Sequence, residues 1–285
     1  MNYRGRRGNG QRKQKRLHET NDTESEDNSP MVKLFKMYQA ELDARYDKYE
    51  RLVKKSRDLT IESKRIIFLL HRVSSDGNKN EILQEAESRL YALFKDVISG
   101  ISSELTKREL YQFLRAFSPG LQEFVEAVSF YYYLKNENVV HIEEIYNPDF
   151  LQKISNEDVS DPNPEKETVE SGLPLASLLT PIDFILGIAD LTGELMRKCI
   201  NSVAAGDIDE PFRLCFVLQS IYEALSNHNY NKELKRKLFV LKNSLQKVEN
   251  ACYAIKIRGS EIPKHMLADF FSNEEDYKEN TELDI

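Results

Sequence analysis

Two stretches decide the fold: GLQEFVEAVSFYYYL at residues 120–134 and TPIDFILGIADLTGELMRKCINSV at residues 180–203. In both, apolar residues recur at the three- and four-residue spacing of a helix that is buried on much of its surface. The same periodicity runs through most of the chain, and no convincing run of alternating strand residues interrupts it. We therefore predict an all-α fold, an antiparallel bundle of about six to seven helices.

Each of the two stretches carries a narrow line of carboxylates. Glu123 and Glu126 are three residues apart, and Asp190 and Glu194 are four apart, so each pair projects from one helix face. Carboxylates among apolar neighbours must reach water, a cation or each other, because burying an unpaired charge is prohibitive. Four carboxylates from two helices would suit a hard divalent cation, and an all-oxygen site favours Mg²⁺ or Mn²⁺ over iron or zinc.

The second line has a more ordinary interpretation. Polar side chains at helical spacing are also what a solvent-facing side of a helix looks like. This line consists of Asp183, Gly187, Asp190, Glu194, Arg197 and Asn201. The residue types alone leave both interpretations open.

The net charge of −7 over 285 residues is unevenly distributed. Residues 17–29, 155–170 and 272–285 are acidic and poor in apolar side chains. We expect one helical domain at residues 30–271, with disordered tails at 1–29 and 272–285 and a flexible acidic loop at 155–172.

The first 16 residues are basic and contain no acid. Clusters of this kind act as nuclear import signals or as arms that contact nucleic acid, and a generic solvated tail is the other possibility. The basic residues are Arg4, Arg6, Arg7, Arg12, Lys13, Lys15 and Arg16.

Turn and capping signals place the helix boundaries. Thr106 and Glu109 form a capping-box pair, Ser118-Pro119-Gly120 predicts a break, and Thr180 followed by Pro181 predicts a helix start. The helices predicted in this way cover residues 31–75, 80–99, 106–117, 120–134, 180–203, 211–225 and 232–255, with short helical pieces at 141–154 and 263–271.

Several functional classes lack their motifs. The chain has no Walker A sequence, no G-x-G-x-x-G, no H-E-x-x-H and no Glu-x-x-His pair of the kind that di-iron bundles use. Cys199, Cys215 and Cys252 form no C-x-x-C pair, so we expect reduced thiols in an intracellular protein. With no signal peptide and no apolar run near 18 residues, we expect a soluble protein of the cytoplasm and nucleus, with no membrane partner.

Four stretches carry a family resemblance: GLQEFVEAVSF at residues 120–130, GIADLTGELMRKCINSV at 187–203, GDIDEPF at 206–212 and KVENACYAIKIRGSEIPKHMLADFF at 247–271. In these stretches the chain resembles the translin family, in the branch whose members are catalytic. The resemblance covers residues 30–271. It implies an all-α bundle that co-assembles with translin into a hollow hetero-oligomer.

The resemblance also implies a function. Its catalytic members are Mg²⁺-dependent endoribonucleases that cut single-stranded RNA, and single-stranded DNA is a further possible ligand. They promote RNA interference by removing the nicked passenger strand, which activates the silencing complex, and they process fragments of tRNA precursors. The family's catalytic acids fall on Glu123, Glu126 and Asp190, and Glu194 is placed to complete the metal ligands.

Basic residues would gather the RNA, and the candidates are Lys107, Arg108, Arg115 and Arg197. A further basic group on the first predicted helix either faces solvent or contacts phosphate: Lys54, Lys55, Arg57, Lys64, Arg65 and Arg72. The alternative function is a non-catalytic partner that stabilises a nucleic-acid-binding shell. The four acids discriminate between the two, because a pure scaffold has no reason to place carboxylates among apolar neighbours on two helices.

Overall fold

The structure, a computed structural model, describes residues 29–73, 77–146, 173–227 and 232–258. Every regular element within these ranges is helical, which confirms the predicted all-α class, and six of the helices have 14 residues or more. The helices are α1 (Pro30–Leu70), α2 (Lys79–Ala92), a π-helical turn (Leu93–Ile98), α3 (Ser99–Glu104), α4 (Leu110–Asn136), α5 (Ile142–Tyr146), α6 (Leu175–Leu178), α7 (Pro181–Ala204), α8 (Glu210–Ser226) and α9 (Lys232–Arg258).

Some predicted segments lie outside the described residues. They are the two tails, the acidic loop at 155–172, the helix at 263–271 and the part of the 141–154 helix beyond Tyr146. None of the described helices is long and apolar enough to cross a membrane.

The chain divides into two compact units, residues 1–47 and 48–285. In the first unit, the opening part of α1 exposes large apolar side chains to solvent, with exposed fractions of 41–63%. They are Met31, Leu34, Phe35, Met37, Tyr38, Leu42 and Tyr46. An exposed apolar stripe of this length is typical of a surface that another protein covers.

In the second unit, α4 packs chiefly on α7, and α9 packs on both α7 and α8. The apolar positions predicted from helical spacing form this core, and Phe117, Leu121, Phe124, Leu191 and Leu195 have no exposed surface. The aromatic run at the end of α4 also belongs to the core, since three of its four rings are buried. Burying such side chains is the main stabilising term of the fold.

The predicted break at Ser118-Pro119-Gly120 is wrong, because α4 continues through it with Pro119 inside the helix. The reason is a tertiary contact with α1. Ser56 Oγ accepts a hydrogen bond from the Gly120 N–H at 3.1 Å and lies 3.4 Å from the Phe117 carbonyl oxygen, to which it donates. The buried hydroxyl thus satisfies backbone groups beside the proline, which in isolation would end the helix.

Other boundaries also differ from the prediction. The helix α1 ends at Leu70 instead of residue 75, and the segment predicted as one helix at 80–99 continues as a π-helical turn and then α3 to Glu104. The pair Thr106–Glu109 does form, with the Glu109 carboxylate accepting from the Thr106 N–H and hydroxyl at 3.1 and 2.8 Å, but the helix proper begins only at Leu110.

The start of α7 is built as the sequence predicts. Thr180 is the N-cap, its side chain accepts from the Asp183 N–H at 3.2 Å, and Pro181 occupies the first turn. The Asp183 carboxylate, only 3% exposed, accepts hydrogen bonds from Thr180 Oγ1, Ser118 Oγ and Gln122 Nε2. This network ties the first turn of α7 to α4.

Gly187 allows the two helices to approach closely. A Cβ at this position would lie 2.7 Å from the Val125 side chain and 2.8 Å from the Gln122 carbonyl oxygen. Any larger residue would therefore push α7 away from α4. The close approach fixes the spacing between the two lines of carboxylates.

Candidate active site

The helices α4 and α7 bring three of the predicted carboxylates into one open cleft. Glu123 and Glu126 of α4 and Asp190 of α7 line a cavity of about 350 Å³. Its other lining residues are Lys64 of α1, Lys237 and Val240 of α9, and Ala189, Thr192 and Gly193 of α7. The two acidic lines therefore meet in one cleft at these three residues.

Glu126 is the innermost of the acids, with 8% of its surface exposed. Burial, together with the negative charges of Asp190, Glu123 and Glu194, raises its pKa to about 8. A carboxyl group with so high a pKa, surrounded by other carboxylates in a cleft, is a characteristic of functional sites.

Two lysines bring positive charge to the same cleft. Lys64 Nζ lies 3.1 Å from Glu123 Oε1, and this hydrogen bond with its charge attraction raises the pKa of Lys64. Lys237 Nζ lies 2.5 Å from Asp190 Oδ2, and also 3.3 Å from the Leu186 carbonyl oxygen and 3.4 Å from Gln122 Oε1. The negative charge of the cleft is thus offset by ammonium groups from α1 and α9.

Glu194 does not line the cleft but lies close enough for its charge to act on Glu126. Its Oε2 atom contacts His71 Nε2 at 2.5 Å and Arg197 Nη1 at 3.2 Å. Burial acts to raise the pKa of Glu194, but the hydrogen bond from His71 and the charge of Arg197 outweigh it, so the pKa is lowered overall. Glu194 is therefore an ionised carboxylate held by two donors.

Within the described ranges, no group of three or more His, Cys, Asp or Glu side chains is placed to hold a metal ion as the side chains stand. Glu123, Asp190 and Glu194 each pair with a cationic or imidazole group instead. The donor set itself consists of carboxylate oxygens, which suits Mg²⁺ or Mn²⁺. The residues therefore fit such an ion in chemistry, and the metal site stays a prediction.

The solvent-facing interpretation of the second line fails over the first half of α7. Asp183 is 3% exposed and Gly187 is buried, whereas Arg197 and Asn201 at the other end are exposed. Asp190 and Glu194 lie between these extremes. The line therefore runs from the protein interior to its surface, and the carboxylates of interest occupy the transition.

The basic residues that we predicted to gather RNA do not line the cleft. Lys107, Arg108 and Arg115 are exposed elsewhere, and Arg197 is paired with Glu194. The seven basic residues between Arg4 and Arg16 lie outside the described residues.

Sequence reasoning missed the contributions of Lys237 and His71. Lys237 is one of several lysines on a predicted amphipathic helix, and His71 is one of five scattered histidines, so neither carries a local signal. Lys64 belongs to the basic group of the first predicted helix. For that group the sequence allows either solvent exposure or contact with phosphate. Its position in the cleft is what separates it from its neighbours.

The comparisons with known proteins identify the family of this chain. A sequence model of the Translin family matches residues 47–259. Translin-associated protein X of Mus musculus is 51% identical over 247 residues, which span 86% of this chain and 84% of the mouse protein. Translin of Homo sapiens is 23% identical over 229 residues, spanning 79% of this chain and 92% of translin.

A solved structure supports the fold. AfC3PO in complex with duplex RNA matches with a TM-score of 0.58 and 20% identity, over 80% of this chain and 99% of that chain. At that identity the similarity concerns the fold alone. Because the family match covers most of the sequence and the mouse relative is 51% identical across it, the chain belongs to the Translin family.

Proposed function

We propose that this chain is a Mg²⁺-dependent endoribonuclease that acts on single-stranded RNA as the catalytic subunit of a complex with translin. The observation that carries the proposal is the cleft in which Glu123, Glu126 and Asp190 converge, with Glu126 buried and its pKa raised to about 8. Such a cluster is costly to maintain in a fold, and a divalent cation is the partner that would stabilise it.

In this proposal Glu123, Glu126, Asp190 and Glu194 hold the ion. A bound Mg²⁺ supplies charge stabilisation at the scissile phosphate and lowers the pKa of an attacking water. Lys64, whose side chain is 62% exposed, is free to exchange its carboxylate partner for a phosphate oxygen. Lys237 is less exposed, at 21%, and holds the Asp190 carboxylate until a cation replaces it.

The proposed partners rest on the relatives and on the surface of α1. One relative is named for its association with translin, and AfC3PO has been solved with duplex RNA. The apolar side chains exposed along residues 31–46 supply a surface of the kind that a partner subunit covers. The family resemblance adds the biological setting: removal of the nicked passenger strand in RNA interference, trimming of tRNA precursor fragments, and work in both cytoplasm and nucleus.

One observation favours a second function, that of a non-catalytic partner within the translin shell. Lys64 and Lys237 already pair with Glu123 and Asp190, so part of the cleft's charge is balanced by the protein itself. If those pairs are permanent, the cleft is structural, and RNA cleavage by the complex must come from elsewhere.

A cleavage assay on the complex separates the two functions. The full-length chain is co-purified with translin, as wild type, as Glu126→Gln and as Glu223→Gln, an exposed position on α8 that serves as the matched control. Each complex is checked for assembly by gel filtration. It is then given a fluorescent single-stranded RNA, the matching duplex and the matching single-stranded DNA, with Mg²⁺ or with EDTA.

We expect wild type and Glu223→Gln to cut the single-stranded RNA only with Mg²⁺, and Glu126→Gln to assemble normally but cut at least about 100-fold more slowly, since loss of even an outer partner of a metal site costs about 10–100-fold. Equal cleavage by Glu126→Gln and wild type would reject the catalytic proposal and leave the scaffold function. Cleavage that persists in EDTA would reject the dependence on metal.

A further inference from the structure

His71 connects the end of α1 to the carboxylates of the candidate active site. It lies in the turn that follows Leu70, and its ring packs against Phe130 of α4 with a centroid distance of 4.8 Å and an angle of 44°. Its Nε2 atom lies 2.5 Å from Glu194 Oε2, across 123 positions of sequence. The two side chains are 10% and 16% exposed, so water competes little for either partner.

The direction of this hydrogen bond follows from the state of the carboxylate. An ionised carboxylate has only acceptor sites, so the Nε2 atom of His71 must carry the hydrogen. Arg197 Nη1 donates to the same oxygen, Oε2, at 3.2 Å. Both donors thus act on one oxygen of Glu194, and the other oxygen is not engaged by either of them.

The ring of His71 is itself held in place. Phe130 is fully buried, and it fixes the imidazole from the side of α4, while the backbone N–H of His71 bonds to the Ile67 carbonyl oxygen at 3.1 Å. A donor that is fixed on two sides restricts the rotamer of the carboxylate that accepts from it. Arg197, whose side chain is 59% exposed, provides a weaker restraint because it can turn into solvent.

We propose that His71 is a positioning residue that holds one oxygen of Glu194, a carboxylate near the cleft but not in its lining, and leaves the other oxygen available to the divalent cation. The inference rests on the proposed function, because it assigns His71 a role toward that same metal site. Partners that orient a metal ligand through a hydrogen bond change metal affinity by about 10–100-fold when they are removed.

The test measures metal binding itself, so that it does not depend on catalysis. Mn²⁺ is titrated into the full-length chain co-purified with translin, and free Mn²⁺ is followed by electron paramagnetic resonance. The variants are His71→Phe, which keeps ring packing on Phe130 but removes the donor, and His71→Gln, which keeps an N–H donor. His141→Phe, at an exposed position before α5, is the control.

We expect His71→Phe to weaken Mn²⁺ binding by at least about tenfold, with His71→Gln within about threefold of wild type and His141→Phe unchanged. Thermal midpoints measured without metal provide a separate readout. A merely structural histidine would lower the midpoint in both His71 variants. We expect instead that the differences in Mn²⁺ affinity do not follow the midpoints. If His71→Phe does not assemble, His71→Asn replaces it, since its shorter side chain also loses the contact. Wild-type Mn²⁺ affinity in the donor-free variant would overturn the inference.

Two further variants separate this inference from the proposed function. Glu194→Ala alone should weaken Mn²⁺ binding, and adding His71→Phe to it should cause no further loss, because the acceptor is already removed. An additional loss in the double variant would overturn the role through Glu194. If Glu126→Gln binds Mn²⁺ as wild type does, the metal site itself is wrong and the inference falls with it. If Glu126→Gln loses Mn²⁺ while His71→Phe keeps it, only the role of His71 is wrong.

Discussion

Lys237 Nζ lies 2.5 Å from Asp190 Oδ2, so α9 delivers a positive charge to the line of carboxylates that α7 carries. Lys64 of α1 does the same for Glu123 in the same cleft. These two ion pairs offset the charge of two of the four carboxylates. They also mean that an incoming ion must compete with ammonium groups for the same oxygens.

Removing Lys237 should therefore strengthen metal binding. A partly exposed ion pair contributes about 0.5–1 kcal/mol, so we expect Lys237→Met to bind Mn²⁺ about two- to fivefold more tightly than wild type. Without metal, the same variant should be less stable, because Asp190 loses its partner. Lys235→Met, an exposed neighbour on the same helix, is the control and should change neither property. Weaker Mn²⁺ binding in Lys237→Met would show that the lysine supports the metal site instead of competing for it.

Glu126 should make the stability of the metal-free complex depend on pH. Its pKa is about 8 in the fold and near 4.5 when exposed, so its contribution is fully present below pH 4.5 and is lost as pH rises through 8. By pH 7 the loss is on the order of 3 kcal/mol. We therefore expect the thermal midpoint of Glu126→Gln, measured in EDTA, to rise relative to that of wild type as pH increases from 4.5 to 8.5.

The control for this pH series is Glu223→Gln, which removes one carboxylate at an exposed site. Protein concentration is held fixed, because subunit binding makes the midpoint concentration-dependent. If the difference between Glu126→Gln and wild type stays constant from pH 4.5 to 8.5, the buried carboxyl does not titrate in this range.

Gly187 and Gly193 lie on the same helix and should respond oppositely to alanine. At Gly187 a Cβ would meet Val125 and the Gln122 carbonyl oxygen at under 3 Å, and overpacking of this kind costs about 1–3 kcal/mol. At Gly193 nothing lies within 4 Å of the added Cβ, so alanine should stabilise the helix by about 0.5–1 kcal/mol. Melting of the two variants in parallel tests this, and equal midpoints would mean that α4 and α7 are not in close contact.

Ser56 should be necessary for the continuity of α4. Ser56→Ala leaves the buried N–H of Gly120 without its acceptor, which costs about 1–3 kcal/mol. Ser88→Ala removes an exposed hydroxyl that bonds only to the preceding turn of α2, and it should change stability by less than about 0.5 kcal/mol. Hydrogen exchange at the Gly120 amide gives the local readout: it should speed up in Ser56→Ala, and unchanged protection would contradict the role of the hydroxyl.

Properties set by local sequence could be predicted. The helical class, the start of α7 at Thr180 and the burial of its apolar side all depend on residues that are close in sequence. The pairing of Glu123 with Glu126 on one face, and the convergence of both with Asp190, followed from spacing together with the family resemblance. These features hold because helix periodicity fixes which side chains share a face.

Properties set by contacts between distant residues could not be predicted. The sequence predicts a helix end at Pro119, whereas the continuation of α4 depends on Ser56, which lies 64 positions from Gly120. Lys237 reaches Asp190 across 47 positions and His71 reaches Glu194 across 123, so no window of sequence contains either pair. The candidate RNA-binding residues rest on charge alone, and charge does not indicate which side of a helix faces the cleft.

The most direct test of the central claim is the Mg²⁺ dependence of single-turnover RNA cleavage by wild type and Asp190→Asn, each co-purified with translin. If the cleft of Glu123, Glu126 and Asp190 holds the ion that supports cleavage, Asp190→Asn should cut more slowly at every Mg²⁺ concentration and should need more Mg²⁺ for half its own maximal rate. Superimposable curves for the two complexes would contradict the account, because they would mean that this carboxylate neither binds the ion nor takes part in the reaction.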